Sequence, residues 1–294
     1  MLLPRLLMLV LICLFPLGGW ADTIAVVVPR DTFLTRSFVE ALSTRLPADR
    51  LQVHVLGVPP IPDSASLWVT MGQEALQWRL AQPLQVPTIA TYVTLDGLRE
   101  LHDSVRPSSV QILLASAKPD RQLLLAQLLI PHMDTAGLLV SDQQQWQQRF
   151  WQAAAARHGV TLYARSVSDP AELPRRLSDV LNESDVLVGL DDPAIYNAEN
   201  LKTLLLTSYA RRRVLIGPSA PFIAAGSLST TYSTPENMAE SVIATWRQPW
   251  KPAAIRYPEQ FSVLSNDQVA HSLGLPPPDD GELMRRILAM EQTR

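Results

Sequence analysis

The stretch TIAVVVP (23–29) is apolar throughout and closes on a proline. A strand with one wet face alternates in polarity. A continuous apolar run suits a strand covered by helices on both faces. The next stretch, DTFLTRSFVEALSTRLP, changes period. Leu34, Phe38, Ala41, Leu42 and Leu46 fall on one helical face, Asp31 or Thr32 can cap its start, and Pro47 ends it. The same alternation then repeats along the chain. Strands are expected at 51–57, 66–72, 86–93, 109–116, 135–141, 160–167, 185–190, 214–219 and 227–233. Helices are expected at 73–82, 120–131, 143–159, 170–181, 197–213 and 234–246. This order leaves little but parallel sheets built from right-handed crossovers.

Two segments echo each other. SLWVTMGQEAL…VPTIATYV and SDVLVGLDDPAIY…RRVLIGPSA each run from Ser through an apolar strand into a loop, a helix and a second strand. The echo implies two similar lobes, each a small doubly wound parallel sheet. The expected division is 22–116 with 228–252 for the first lobe and 117–227 with 253–294 for the second, hinged by about three crossover strands. The tail adds an extended strap (247–260), a strand (261–266), a short helix (267–275) and a last helix (281–292).

The first 21 residues carry a different signal. Arg5 precedes an apolar run, Leu6 to Leu17, and small residues follow, with Gly19 and Ala21 at −3 and −1 of a cut before Asp22. This reads as a signal peptide for export to the periplasm. Cys13, the single cysteine, lies within that run behind the bulky Ile12, which disfavours a lipid anchor. The exported chain then has no disulfide and must be held together by its core. The net charge is −3, and losing Arg5 makes it one unit more negative. No basic block stands out, so nucleic acid is not an expected partner.

The catalytic inventory is empty. There is no G-x-S-x-G elbow, no G-x-G-x-x-G after the first strand and no G-x-x-x-x-G-K-[ST]. The five histidines, His54, His102, His132, His158 and His271, have no ligand spacing. Neither enzyme activity, a metal nor a cofactor is expected.

In open parallel sheets, ligands bind beyond the carboxyl ends of the strands, where helix N-termini offer free N–H groups. The loops there are PRDT (29–32), MGQE (71–74), YVTL (92–95), SDQQ (141–144), LDDPAIYN (190–197) and GPSAPF (217–222). They supply Arg30, Gly72, Gln73, Tyr92, Thr94, Asp142, Asp191, Asp192, Tyr196 and Ser219 as candidate ligand contacts, with Asp31 and Phe222 beside them. Each Asp, Ser or Thr is equally a helix cap on its own. Carboxylates suit a ligand ammonium and helix N-termini suit a ligand carboxylate, so the set fits an amino acid or similar zwitterion.

SDVLVGLDDPAIYNAENLKTLLLTSYARRRVLIGPSAPFIAAGSLSTTYSTPENMAESV, SLWVTMGQEAL and FSVLSNDQVAHSLGLPPP together resemble ABC-transporter substrate-binding proteins of the uncharacterised or tryptophan/tyrosine type. The resemblance implies the periplasmic binding protein type I fold. It also implies a monomeric periplasmic receptor that closes two lobes on a solute and presents it to an ABC permease. A sensing or interaction protein of the same fold, serving a membrane kinase or outer-membrane receptor, is the alternative. Relatives often have a His-Pro loop after the first strand and a Thr-Asp-Pro loop after the fourth. This chain has Pro29-Arg30-Asp31-Thr32 and Tyr92-Val93-Thr94-Leu95 instead, so an aromatic amino acid does not carry over as its ligand.

Overall fold

The computed structural model describes residues 23–47, 50–59, 65–83, 85–100 and 107–293; the proposed signal peptide lies outside them. The chain begins β1 (Ile24–Val28), α1 (Phe33–Ser43), β2 (Leu51–Val55), β3 (Leu67–Met71), α2 (Gly72–Leu80), β4 (Thr88–Val93), α3 (Leu95–Glu100) and β5 (Val110–Leu114). It crosses into α4 (Pro119–Leu129), β6 (Thr135–Ser141), α5 (Gln148–His158), β7 (Thr161–Val167), α6 (Leu173–Glu183), β8 (Val186–Val188), α7 (Ala198–Ala210), β9 (Val214–Ile216), α8 (Pro221–Ala225) and β10 (Ser229–Tyr232). It ends with α9 (Pro235–Arg247), β11 (Ile255–Arg256), β12 (Ser262–Ser265), α10 (Asp267–Ser272) and α11 (Asp280–Gln292).

Two six-stranded sheets result, in the orders β11-β5-β4-β3-β1-β2 and β12-β10-β9-β8-β6-β7. Pairing is parallel except between β10 and β12. The continuous apolar runs are the central strands, as their composition requires. β1, β3 and β5 are buried at every residue. β2, whose sequence alternates, is an edge strand with no fully buried residue. Phe38 and Leu42 of α1 and Met238 and Val242 of α9 pack on one face of the first sheet, while Leu76 of α2 packs on the other. Among the described residues, no helix is long and apolar enough to cross a membrane.

The sheet pairing differs from the sequence division at two places. Residues 228–252 were expected in the first lobe, yet β10 pairs with β9 and β12 in the second sheet. Residues 253–294 were expected in the second lobe, yet β11 adds to the first sheet beside β5. The chain therefore crosses between lobes at 115–118, 233–234 and 257–261. Sheet membership depends on which edge a strand can reach and pair with. A short polar strand such as STTY carries no local mark of that choice.

Two neighbouring residues of α4 bind the strand ends of the second lobe and the third crossing. Gln122 is fully buried. Its Nε2 donates to Gly217 O (2.8 Å) and Thr230 Oγ1 (3.3 Å), and its Oε1 accepts from Thr231 N (2.9 Å) and Thr231 Oγ1 (3.1 Å). Arg121, also buried, donates to Pro258 O (2.8 Å), Glu259 O (3.1 Å) and the Glu291 carboxylate (3.0 Å). Its guanidinium lies 4.1 Å from the centroid of Phe261. Leu in place of Gln122 keeps the volume but strands Thr231 N–H and the Thr231 hydroxyl in a dry interior, while Gly217 O keeps the Thr230 hydroxyl (2.8 Å). Buried unsatisfied groups cost roughly 1–3 kcal/mol each, so Gln122→Leu should lower unfolding free energy by about 2–4 kcal/mol in a urea titration. An unchanged midpoint would show that the crossings are held by something else.

Candidate functional site

The carboxyl ends of the parallel strands carry the loops nominated from sequence, and the crossings bring the two sets of loops together. The clearest junction lies beside the first crossing. Asp191 Oδ2, past the end of β8, accepts from the Ser116 hydroxyl (2.8 Å) and from Asp96 N–H in the first lobe (3.2 Å). Ser116 Oγ in turn accepts from Leu95 N–H (2.8 Å). Gln144 donates to the Asp96 carboxylate. Gln147 donates to Asp191 O (2.8 Å) and Gln144 Oε1 (2.8 Å). Trp146 donates its indole N–H to Gln144 Oε1 (3.0 Å) and packs against the first-lobe cluster of Leu76, Val93, Leu95 and Leu114. Asp191 therefore joins the lobes. A cavity of about 10 Å³ beside it, lined by Ser116, Gln147, Gly189 and Asp191 among others, has room for roughly one water.

Its neighbour Asp192 does different work. The side chain is 2% exposed and accepts from Ser141 N (2.6 Å), Ser141 Oγ (3.1 Å) and Ala194 N (3.2 Å). It pins the end of β8 to the end of β6, wholly within the second lobe. Tyr196 is 6% exposed, and its hydroxyl donates to Val188 O (3.2 Å) and Leu139 O (3.4 Å). Its burial, then the nearby Asp192, push its phenol well above the ordinary range. The expectation that Asp192 and Tyr196 contact a ligand is corrected: both are core residues. The reason is the sharp turn. Asp192 O accepts from Ile195 N and Tyr196 N, which folds the Pro193 loop back and carries Tyr196 under the sheet.

The remaining candidates sort by their partners. Asp142 accepts from Ser166 Oγ (2.7 Å) and Gln145 Nε2 (2.9 Å), and the hydroxyls of Ser166 and Ser168 hold its carboxyl below the usual range. Thr94 Oγ1 accepts from Gly97 N (3.0 Å), a cap for α3. Tyr92 sits at φ 56°, at an irregularity in the β4–β5 ladder, with its ring edge-on to Phe38 at 5.3 Å. Burial, then Glu236, raise its phenol. It belongs to the first-lobe core margin. Ser219 lies where the chain turns from β9 into α8, and its carbonyl accepts from Phe222 N–H (3.1 Å).

Arg30, Gly72 and Gln73 form a second group. Some helices at this end of the sheets are closed by their own side chains, α1 by a Thr32–Thr35 capping box and α7 by Asn197, whereas α4, α5 and α8 have no side-chain cap. α2 has none either. It starts at Gly72, with φ 81°, and its N-cap is Met71, which has no side-chain acceptor to give. First-turn N–H groups left so are a site for a negative ligand group. Arg30 reaches over this turn to Glu74 at 3.3 Å, with both side chains largely exposed. Gly97 faces the same place: a Cβ there would stand 2.5 Å from Gln73 Oε1.

Sequence reading missed Ser116, Asp96, Gln144, Gln147 and Trp146. The glutamine-rich run DQQQWQQ (142–148) was the available signal, since a Gln row around a half-buried Trp serves neither a solvated face nor a core.

Burial pushes the Asp192 carboxyl above the ordinary carboxylate range, against the opposing hydrogen bonds from Ser141 and Ala194. A native pKa above the unfolded one means the folded state takes up the proton first. The destabilisation from the buried charge is absent below the unfolded value of about 3.9 and appears as pH rises through the native value. Asp192→Asn removes that dependence. Its stability relative to the parent should therefore improve as pH rises from about 3.5 to 6; chemical denaturation across that range measures it, and a flat difference contradicts the assignment.

No protein-family model matches the chain, and no curated protein matches it. Solved structures do. A domain from Streptococcus pneumonia in complex with L-Trp is 14% identical, with 90% of this chain and 98% of that chain covered and a TM-score of 0.54. The ligand-free, open structure of a substrate-binding protein with adhesive properties from Clostridium difficile is 13% identical, with coverage of 88% and 97% and a TM-score of 0.66. A transcriptional activator of the comK gene from Bacillus halodurans is 12% identical, with coverage of 92% and 98% and a TM-score of 0.50. At these identities the likeness is one of fold. The chain has the two-lobed periplasmic binding protein type I-like fold.

Proposed function

We propose that this chain is an exported solute-binding receptor that captures a small zwitterion, such as an amino acid, between its lobes and delivers it to an ABC-type permease in the inner membrane. The observation that carries the reading is the uncapped start of α2 beside Arg30, at the cleft end of the first sheet. A ligand carboxylate there meets the positive end of a helix that has no side-chain cap and a guanidinium. Ser219 lies at the carboxyl end of the second sheet, after β9. Asp191 acts through the junction it makes with Ser116 and Asp96, setting how the lobes meet, so it is a positioning residue in this reading.

Support also comes from the two-lobed fold and from solved structures of that fold, among them a substrate-binding protein and a domain in complex with L-Trp. The leader of residues 1–21 supplies the route to the periplasm, and the role asks for no chemistry on the solute. Solute binding favours the closed arrangement because only that arrangement buries the ligand against both lobes.

A thermal-shift screen of the exported chain against amino acids, nucleosides and sugars tests this. A solute at a hundred times its dissociation constant adds about 2.7 kcal/mol of stability. Arg30→Ala should weaken binding of the identified zwitterion about tenfold, while leaving the ligand-free melting temperature unchanged because the Arg30 side chain is 75% exposed. No shift by any zwitterion sinks the proposal.

A further inference from the structure

The described residues leave one corner of the first sheet without a covering helix. In a parallel sheet, a connection that leaves one strand, passes its neighbour and enters a third usually carries a helix that covers that face. Here the chain leaves β2, passes β1 and enters β3 through residues 56–66, and the described part of that connection contains no helix. α2 covers the same face over β3 and β4. Beyond it, toward β1 and β2, lies a cavity of about 330 Å³ lined by Val27, His54, Val55, Leu56, Gly57, Val58, Pro59 and Trp78. Every lining residue belongs to the first lobe.

One wall is built. Trp78 stacks on Trp68 with ring centroids 5.2 Å apart and planes 4° from parallel. The Arg79 guanidinium lies 5.5 Å from the Trp68 centroid, and Arg79 itself is fully buried and donates to Thr88 Oγ1 (2.8 Å) and Val86 O (2.9 Å). The aromatic wall is thus ordered before any ligand arrives, which lowers the entropic cost of binding. Among the described residues the lining holds no carboxylate, lysine or arginine, so these walls offer a charged guest no ionic partner in return for its hydration. The volume is at the lower end of the roughly 300–1,000 Å³ of small-molecule sites.

We infer that this cavity is a second ligand site, separate from the cleft between the lobes, and that it takes a neutral aromatic molecule of one or two fused rings. The test is a ¹⁹F NMR titration of the exported chain with 5-fluoroindole. Saturable binding is expected, weakened at least about tenfold by Val58→Glu, which sets a charge at the rim on a side chain already 59% exposed. If that variant fails to fold, Trp78→Leu, which removes the ring wall, takes its place with the same expectation. Absence of saturable binding overturns the inference, as does equal binding by parent and variant. Displacement of 5-fluoroindole by a zwitterion that shifts the melting temperature overturns it too, by placing both ligands between the lobes. Zwitterion binding with no 5-fluoroindole site sinks this inference alone and leaves the receptor reading standing.

Discussion

The lobes of this protein are set by hydrogen bonds from one turn of one helix. Gln122 and Arg121 follow the first crossing, yet between them they hold the other two: Gln122 grips Thr230 and Thr231 ahead of the second, and Arg121 grips Pro258 and Glu259 in the third. Both side chains are buried, and a buried amide or guanidinium is tolerable only when its donors and acceptors are met. Gln122 finds its partners at the ends of β9 and β10, and Arg121 finds backbone carbonyls of the third crossing. The need to satisfy these two residues and the need to satisfy the crossings are met together. Glu291 of the last helix accepts from both Arg121 and Lys118, so the chain's end also closes on this point.

With the crossings fixed, the strand ends face one another and each loop is free to specialise. Some close on themselves, as at Thr94, Asp142 and Asp192. Others close across the crevice, as at Asp191. The start of α2 combines the lack of a side-chain cap with a nearby guanidinium, Arg30, and this is why the proposed reading seats a ligand carboxylate there. A cap supplied by the protein would occupy the same N–H groups that a solute carboxylate requires.

The pair Asp191–Asp192 shows how far sequence reading reaches. That an apolar strand ends there, and that the loop stands at the carboxyl end of a parallel sheet, was legible from VLVGL followed by two acids and a proline. Which acid turned inward was not. Consecutive side chains point in different directions, and the choice rested on Ser141, fifty positions away in the chain, presenting its amide and hydroxyl. Tyr196 followed the same turn into the core. The cavity beside β2 was likewise hidden, because its walls come from β1, the β2–β3 connection and α2, which no local pattern brings together.

The sequence by itself determined the parallel two-lobed architecture, since apolar runs without alternation demand cover on both faces and the helices between them provide it. It determined most helix boundaries, because caps such as Thr32, Asn197 and Thr234 act within a few residues. Only the tertiary structure decided which sheet received β10 and β11, which acid joined the lobes, and where a helix start was left open. Those outcomes depend on partners far apart in the chain. Short-range preferences carry no information about them, whereas burial and hydrogen-bond satisfaction apply to the folded whole.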